Sequence, residues 1–327
     1  MPSVVLRTLK SIEITQNRLV FKLHHANYRI LEALSLPIFC PIKNNTDGLS
    51  SGQYVKVHGD SDPFLFSANR HQNADFEFLK ISVIKDPDNN IARFNKAALS
   101  LTADTAFPLY RFNEYRNSEF LKTGKVGLYS GIVFGKSLAS EDFIKLRQLV
   151  ALAIGRCDFS AVTHGVLPQL FKKSDHHVGK FPLDRPLVLA YDPYYPNREI
   201  CECLVKSMEQ IGIKITLFED SYERPCTDFD LRFSILRGLS NNSYLRFLSL
   251  LLNPALQSSV VARSKFMALI SAMELSKTAL DLESCFEQLN TLLQQYVLSI
   301  PLFEIPSIYL SKYPHLSNPL TQNLRAV

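Results

Sequence analysis

The chain has 327 residues, of which 46% are apolar, and its 36 basic and 31 acidic side chains give a formal net charge of +5. This composition is sufficient for a packed core, and the length favours two lobes over one small domain. The charges are spread along the sequence without a long run of one sign, so we expect no nucleic-acid partner.

The sequence as given shows neither an export signal nor a membrane span. Residues 1–10 include short apolar runs, but Arg7 and Lys10 interrupt them, and an export signal needs a longer uninterrupted apolar segment. The longest apolar stretch, residues 245–252, is broken by Arg246 and is too short to cross a bilayer. We therefore expect a soluble, globular chain.

Cysteine spacing gives no sign of a metal site. The six cysteines include no Cys-x-x-Cys pair, and Cys201 and Cys203 would point to different faces of a predicted helix. They lie at positions 40, 157, 201, 203, 226 and 285. Free thiols are the preferred interpretation, over disulfides or a metal centre, and no cofactor is predicted.

The first part of the chain is predicted to be rich in β-strands. Residues 11–15 alternate between apolar and polar, and after a turn at Gln16 and Asn17 a second run follows at 19–23, which is typical of a strand, a turn and a strand. A helix is predicted over 27–36, ending before Pro37. Further strands are predicted at 54–57, 64–67 and 78–85.

From Ser140 onward the pattern becomes helical. Apolar residues recur at helical spacing from Phe143 to Ile154, with Ser140 as the predicted N-cap and Gly155 as the predicted end of the helix. The stretch 165–186 has no clear periodicity. We interpret it as the connection between two lobes.

The clearest indication of the fold lies in residues 185–235. Here a strand at 187–191, a helix at 197–211, a strand at 213–218 and a strand at 229–233 follow one another. Strands separated by a helix need a crossover connection, so this order predicts a parallel α/β layer.

The final third of the chain is predicted to be mainly helical. Helices are expected near 242–252, 261–275 and 279–298, the last with Thr278 and Asp281 as a capping box. A short edge strand is predicted at 299–303.

The segment Gly131–Ser137 ends in Gly-Lys-Ser, as phosphate-binding loops do. Only three residues separate Gly131 from Gly135, whereas the motif needs four. We interpret the segment as an ordinary connection from a strand to a helix. The histidine pairs at 24–25 and 176–177 have no cysteine or carboxylate at ligand spacing, and no nucleophile motif is present, so we predict no catalytic residue and no metal ligand.

Tyrosines follow the predicted strand at 187–191. Tyr191 and Tyr194 lie where an α/β layer presents its loops to a ligand, and aromatic faces with a few polar groups suit a binding cleft. We predict that both bind ligand. A turn packed on its own aromatic side chains is the alternative interpretation.

Several short motifs resemble, in the same order, those of the bacterial solute-binding protein family 5. Ser51–Val55 is similar to the family's Gly-x-Gly-Pro-Tyr turn, Arg147–Arg156 to its Arg-x-Ala-x-x-x-Ala-Ile-Asp-Arg helix, Phe229–Leu231 to its Tyr-Asp-Leu strand, and Ile300–Phe303 to its Ile-Pro-Leu-Tyr strand. The shared order extends from about Leu9 to Leu310. These proteins are periplasmic receptors that deliver oligopeptides, dipeptides or nickel to ABC importers.

The resemblance implies an α/β, two-lobed periplasmic-binding-protein-like (type II) fold that is N-terminally shortened. Residues 1–180 would form the remainder of lobe I (β-rich, with a helix at 140–156), residues 181–304 lobe II, and residues 305–327 a return segment to lobe I. It implies a periplasmic location. With no signal peptide in the chain as given, the protein would be cytoplasmic if the start is correct.

The resemblance also implies a function, namely capture of oligopeptides or another small solute for the membrane subunits of an ABC transporter, without enzymatic activity. In the family's peptide receptors a Trp-x-x-Asp stretch meets the peptide's amino terminus, but the carboxylate position falls here at Leu239, and the chain has no tryptophan. Arg237 could instead meet an anionic group, and Asn241 or Asn242 could bond to peptide amides or cap a helix.

Two alternatives to transport remain open at this point. One is a regulatory or interaction protein that keeps the receptor fold. The other is a truncated, inactive relative.

Overall fold

The computed structural model describes residues 6–16, 18–34, 54–57, 63–70, 73–84, 86–103, 107–170, 183–221, 226, 228–237, 244, 247–248 and 250–313. The strands are β1 (Leu9–Thr15), β2 (Arg18–Leu23), β3 (Tyr54–Lys56), β4 (Phe64–Ala68), β5 (Phe78–Ile81), β6 (Leu121–Phe134), β7 (Leu187–Tyr191), β8 (Ile215–Glu219), β9 (Leu231–Arg237) and β10 (Ser299–Leu310). The helices are α1 (Ile30–Leu34), α2 (Pro87–Asn95), α3 (Phe112–Tyr115), α4 (Ile144–Arg156), α5 (Ser160–Thr163), α6 (Asn197–Glu209), α7 (Pro254–Ser258), α8 (Val260–Leu275) and α9 (Ala279–Tyr296).

A five-stranded mixed sheet in the order β10-β6-β9-β7-β8 organises the molecule. β7 is parallel to both β8 and β9, with Leu189 opposite Leu217 on one side and Leu231 on the other. Strands of a parallel layer are buried on both faces, which explains the continuous apolar run of β7. The parallel α/β layer predicted from the sequence is confirmed, with α6 as its crossover helix.

Helices cover this sheet and complete the main core. Helix α4 packs on α6, and α8 packs on α9. The cluster includes Phe134 from β6, Leu146 from α4, Phe233 from β9, Phe266 from α8 and Leu289 from α9, all fully buried or nearly so. Large apolar side chains from distant parts of the sequence therefore share one interior.

A second, smaller apolar cluster lies at the far end of β10. It joins Ile91 and Phe94 of α2 to Phe107, Leu109 and the β10 residues Ile308 and Leu310. The near half of β10, including Ile300 and Phe303, belongs instead to the main core. β10 therefore runs from one cluster to the other, and the space between the two clusters is where the cavity described below is found.

The predicted strand pair near the amino end is confirmed. β1 and β2 form an antiparallel hairpin with Ile12 opposite Phe21 and Ile14 opposite Leu19. The hairpin face that carries these side chains is exposed, Ile14 most of all at 79%. β3, β4 and β5, which were predicted as strands, form a separate three-stranded antiparallel sheet.

Buried polar contacts around Glu274 tie the segments before and after this hairpin to helix α8. Arg7 lies 2.6 Å from the Glu274 carboxylate, the Tyr244 hydroxyl donates a hydrogen bond of 2.8 Å to it, and the backbone N–H of Tyr28 donates to the Glu274 carbonyl. A buried carboxylate is tolerated when it is paired and hydrogen-bonded in this way.

Three local predictions differ from the structure in detail. Gly155 lies inside α4, which continues to Arg156, because the chain leaves the helix in an extended conformation at Cys157 and needs no glycine there. Ser140 precedes a short 3₁₀ turn, and its hydroxyl donates a hydrogen bond to the Asp142 carboxylate instead of capping the backbone. β10 is much longer than the predicted 299–303, because β6 supplies pairing partners along its whole length.

Other predictions are confirmed or fall partly outside the described residues. The Thr278 hydroxyl accepts a hydrogen bond from the Asp281 backbone, as expected of an N-cap. Of the helix predicted over 242–252, only parts are described. The proposed connection at 165–186 lies largely outside the described residues.

The lobe boundaries at residues 180 and 304 stay a prediction. β6 and α4, which precede residue 180, share one sheet and one core cluster with β7 and β9. Across the described ranges, no helix is long and apolar enough to cross a membrane.

Candidate ligand-binding site

A cavity of about 540 Å³, including space open to solvent at its mouth, lies between the central sheet and the smaller cluster. The sheet side is formed by residues of β6, β9 and β10, namely Ser130, Phe233, Ile235, Ile305, Pro306 and Ile308. The opposite side is formed by the segment before α3, the residue Leu167, the loop after β7 and the start of α6, namely Phe107, Leu109, Leu167, Tyr194, Tyr195, Pro196, Asn197 and Ile200.

The lining of this cavity is aromatic and aliphatic. Phe107, Tyr194, Tyr195 and Phe233 contribute four aromatic rings. None of the described lining residues carries a charge. An apolar wall with a few polar groups is what small-molecule sites commonly show.

Among the described lining residues on the sheet side, Ser130 has the polar side chain. It lies on β6 opposite Ile235 of β9 and Phe303 of β10. The residue is only 3% exposed, and its hydroxyl oxygen has no hydrogen-bond partner in the structure. A buried hydroxyl left unpaired is costly and uncommon, which distinguishes Ser130 from the polar groups on the opposite side of the cavity.

The polar groups on the opposite side take part in bonds within the protein. The side-chain amide of Asn197 donates a hydrogen bond of 3.1 Å to the carbonyl of Asp192. The Tyr195 hydroxyl is hydrogen-bonded to the backbone of Tyr110, and burial raises the pKa of Tyr195. Its ring meets that of Tyr110 edge to face, with centroids 5.5 Å apart. These bonds fix the wall of the cavity.

Tyr110 connects this wall to helix α2. Its hydroxyl donates a short hydrogen bond to the Asp88 carboxylate at the start of α2. Burial and this bond to Asp88 raise the pKa of Tyr110 to about 12. Tyr110 therefore links Tyr195 in the cavity wall to the start of α2.

Charged residues near the loop after β7 are paired with one another. Arg232 of β9 lies 2.8 Å from Asp192 and 2.5 Å from Asp220, the residues that follow β7 and β8. Burial would raise the pKa of Asp220, but hydrogen bonds from the Cys226 and Ser221 backbone and from Arg232 outweigh it and lower the pKa. This ion-pair cluster holds the strand ends together.

The predicted site residues fall in different places. Tyr194 lines the cavity. Tyr191 is buried at the end of β7 with its hydroxyl 3.1 Å from Glu219; it pairs with the lining residue Phe233 in the sheet but is not itself among the described lining residues. Arg237 is the last residue of β9 and pairs with Leu128, but its side chain lies outside the described part of the structure, as do Asn241 and Asn242. Their roles in binding stay predictions.

Sequence reasoning did not predict that Ser130, Tyr195 and the apolar residues around them line a cavity. Ser130 precedes Gly131, where the sequence drew attention to a phosphate loop instead. The structure confirms that this segment is a connection from β6 to helical turns. In the part of the chain that is described, no group of three or more His, Cys, Asp or Glu side chains could hold a metal ion, and the five cysteines present are free thiols.

No protein-family model matches this sequence, and no curated protein gives a significant match to it. Solved structures do match. NikA from Brucella suis in complex with Fe(III)-EDTA has a TM-score of 0.72 and 15% identity, over 96% of this chain and 76% of that one. NikA from Staphylococcus aureus in complex with Ni(L-His)2 has a TM-score of 0.77 and 12% identity, over 98% and 78% of the two chains.

A dipeptide binding protein from Pseudoalteromonas sp. SM9913 in complex with Met-Leu has a TM-score of 0.75 and 12% identity, over 95% of this chain and 73% of that one. The protein has the type II fold of the periplasmic binding proteins. The resemblance to the solute-binding protein family 5 is confirmed at the level of the fold. The chain spans about three quarters of the length of these matched structures.

Proposed function

We propose that the protein is a solute-binding protein that captures oligopeptides for an ABC importer. The observation that carries the proposal is the aromatic cavity between the central sheet and the second cluster, in a fold whose solved examples include proteins in complex with a dipeptide and with nickel bound to histidine. The protein acts by binding and release and catalyses no reaction. Its partners are the membrane subunits of the transporter, and its place of action is the periplasm.

Two parts of the chain contribute to capture. Tyr194 lines the cavity, and Tyr191 supports the same loop from the end of β7. Arg237, Asn241 and Asn242 follow on β9 and the segment after it, where they bind the peptide main chain and any anionic group. Main-chain hydrogen bonds to an extended peptide give broad specificity.

Thermal unfolding with and without a pool of dipeptides to pentapeptides tests the proposal. A ligand present at about 100 times its dissociation constant adds about 2.7 kcal/mol to the free energy of unfolding, so the transition temperature rises. A cooperative transition that no peptide moves contradicts peptide capture. That result favours a protein that keeps the receptor fold for regulation or interaction.

A matched pair of variants locates the binding. Leu167 lines the cavity, so Leu167→Trp fills part of it and reduces the peptide-induced shift. Leu170, three positions further on, is 41% exposed and outside the lining, so Leu170→Trp keeps the full shift. Equal shifts in both variants would place the peptide elsewhere.

Arg237 has its own test. Arg237→Ala weakens the binding of anionic peptides more than that of neutral ones, because the guanidinium is removed. An equal loss of affinity for both kinds of peptide, measured by calorimetry, contradicts this role of Arg237.

A further inference from the structure

We infer that the cavity is a specificity subsite for a neutral aromatic group that carries a single hydroxyl, the phenol of a tyrosine side chain, and that Ser130 is the residue that recognises the hydroxyl. The inference rests on the proposed solute-binding function and defines what this subsite selects. Three observations carry it: the aromatic walls, the lack of charge among the described lining residues and the unpaired hydroxyl of Ser130.

The walls favour a flat ring. Phe107, Tyr194, Tyr195 and Phe233 line the space from both sides. Aromatic rings prefer edge-to-face or offset contacts with other rings, and these contacts add to the gain from burying apolar surface. An aromatic guest meets such contacts on both sides of the cavity.

The lack of charge excludes ionised guests. The described lining contains no Asp, Glu, Lys, Arg or His residue, and the nearby cation Arg232 is held between Asp192 and Asp220. A charged group that enters an apolar site without a partner loses its hydration and gains little in return. Lysine and glutamate side chains are therefore disfavoured.

Ser130 selects for one polar atom. Its hydroxyl can both donate and accept a hydrogen bond, and a phenol hydroxyl can do the same. A phenylalanine ring fits the same walls but leaves Ser130 unpaired. A site whose buried polar group stays unpaired discriminates against the ligand that lacks the matching group.

The test compares the tripeptides Ala-Tyr-Ala, Ala-Phe-Ala, Ala-Lys-Ala and Ala-Glu-Ala by calorimetry on the wild-type protein and two variants. Ser130→Ala removes the hydroxyl of this lining residue. The matched control is Ser207→Ala, because Ser207 is also buried but its hydroxyl already donates to the Ala153 carbonyl at 2.6 Å, away from the cavity.

We expect the wild-type protein to bind Ala-Tyr-Ala about tenfold more tightly than Ala-Phe-Ala, with the lysine and glutamate peptides weaker still. Ser130→Ala abolishes the preference for tyrosine over phenylalanine, and Ser207→Ala keeps it. If Ser130 has only a structural role, Ser130→Ala changes the unfolding temperature and leaves the preference for tyrosine over phenylalanine intact. Equal affinity of the wild type for the tyrosine and phenylalanine peptides overturns the inference. Tighter binding of a charged peptide than of the tyrosine peptide also overturns it. In both cases the proposal of peptide capture still holds.

A second pair of probes keeps the two proposals separable. p-Cresol and p-xylene have the same ring and differ by a hydroxyl, and neither is a peptide. If no peptide binds but p-cresol raises the unfolding temperature more than p-xylene and Ser130→Ala removes the difference, the phenol subsite stands and oligopeptide capture fails. If no peptide binds and the two probes act alike, both are overturned.

Discussion

The guanidinium of Arg147 donates two hydrogen bonds, of 3.2 and 3.0 Å, to the carbonyl oxygen of Tyr296, which lies 149 residues further along the chain. It also donates to the carbonyls of Leu138 and Ser140, at 2.6 and 2.9 Å. The side chain is fully buried. Tyr296 is the last residue of α9, so the cation satisfies a carbonyl that has no partner within the helix and lies at the negative end of the helix dipole.

Loss of Arg147 is expected to destabilise the fold. Burial lowers the pKa of Arg147 to about 10, so it remains a cation at neutral pH. Arg147→Ala should lower the free energy of unfolding by about 3 kcal/mol, because several buried carbonyls lose their donor together. Urea unfolding at pH 7 measures the change.

Arg198 provides the control for this prediction. It is exposed and pairs with Glu202 one helical turn away, so Arg198→Ala should change the free energy of unfolding by no more than about 0.5 kcal/mol. Similar losses for the two arginines would show that the bonds to Tyr296 are not important for stability.

Asp230 gives a prediction for pH dependence. Its carboxylate accepts hydrogen bonds of 2.6 Å from both terminal nitrogens of Arg185, one of 2.5 Å from the Ser137 hydroxyl and one of 2.9 Å from the Val188 backbone. Burial alone would raise the pKa of Asp230, but these hydrogen bonds outweigh it and lower the pKa.

A carboxylate with a lowered pKa stabilises the folded state above its unfolded pKa, about 3.9, and this stabilisation disappears as the pH falls through the folded value. Asp230→Asn should therefore lower the free energy of unfolding by about 2 kcal/mol at pH 7. The difference in the free energy of unfolding between wild type and variant should become smaller below about pH 4. Denaturant unfolding across this range checks it, with the exposed neighbour Asp228→Asn as control; a gap that does not change with pH contradicts the role.

Gly135 is expected to tolerate no side chain. A Cβ atom at this position would lie 1.8 Å from the Phe229 carbonyl oxygen, a backbone atom that cannot move aside. Gly135→Ala should therefore cost about 3 kcal/mol or prevent folding, because the overlap forces apart the residue that follows β6 and the segment that precedes β9. Lys136→Ala, on the exposed next residue, should be nearly neutral. Thermal unfolding of the two variants checks the contrast, and a stable Gly135→Ala protein would contradict the close approach.

The ring of Tyr195 should contribute more to the stability of the fold than its hydroxyl does. Tyr195→Phe keeps the edge-to-face contact with Tyr110 and loses one hydrogen bond, so it should cost about 1 kcal/mol. Tyr195→Ala also removes the ring and opens the cavity wall, so it should cost about 2 to 3 kcal/mol. Chemical unfolding measures both, with Tyr28→Phe on an exposed tyrosine as a control. Equal costs for the two Tyr195 variants would contradict the packing role of the ring.

The sequence alone predicted those elements whose signal is local. β7, α6 and β8 follow one another with short connections, and each has a clear apolar pattern. Helix α2 was missed although its start carries a local signal: the Asp86 side chain accepts from the Asp88 backbone and Pro87 is the first helical residue. Aspartate followed by proline at this spacing is a known start of a helix.

The candidate site was harder to predict because its walls come from distant segments. Tyr194 was found through its place after β7. Ser130 and Phe107 carry no local sign of a ligand. Ser130 is placed at the cavity by the pairing of β6 with β9 and β10, and Phe107 by its packing in the second cluster with Ile308 and Leu310. No periodicity within one segment contains that information. β6 itself was largely missed, since glycines and lysines are depleted in strands and its stability comes from its two neighbours.

β6 is a strand of 14 residues that is enclosed by β9 and β10. During synthesis β6 leaves the ribosome long before β9 and β10 have been made. It therefore lacks its two pairing partners until the rest of the chain has been synthesised. Such a strand is open to pairing with other chains. The lysines and glycines of Leu121–Gly131 disfavour such pairing. The composition that makes this strand hard to predict therefore also disfavours its pairing with other chains before β9 and β10 have been synthesised.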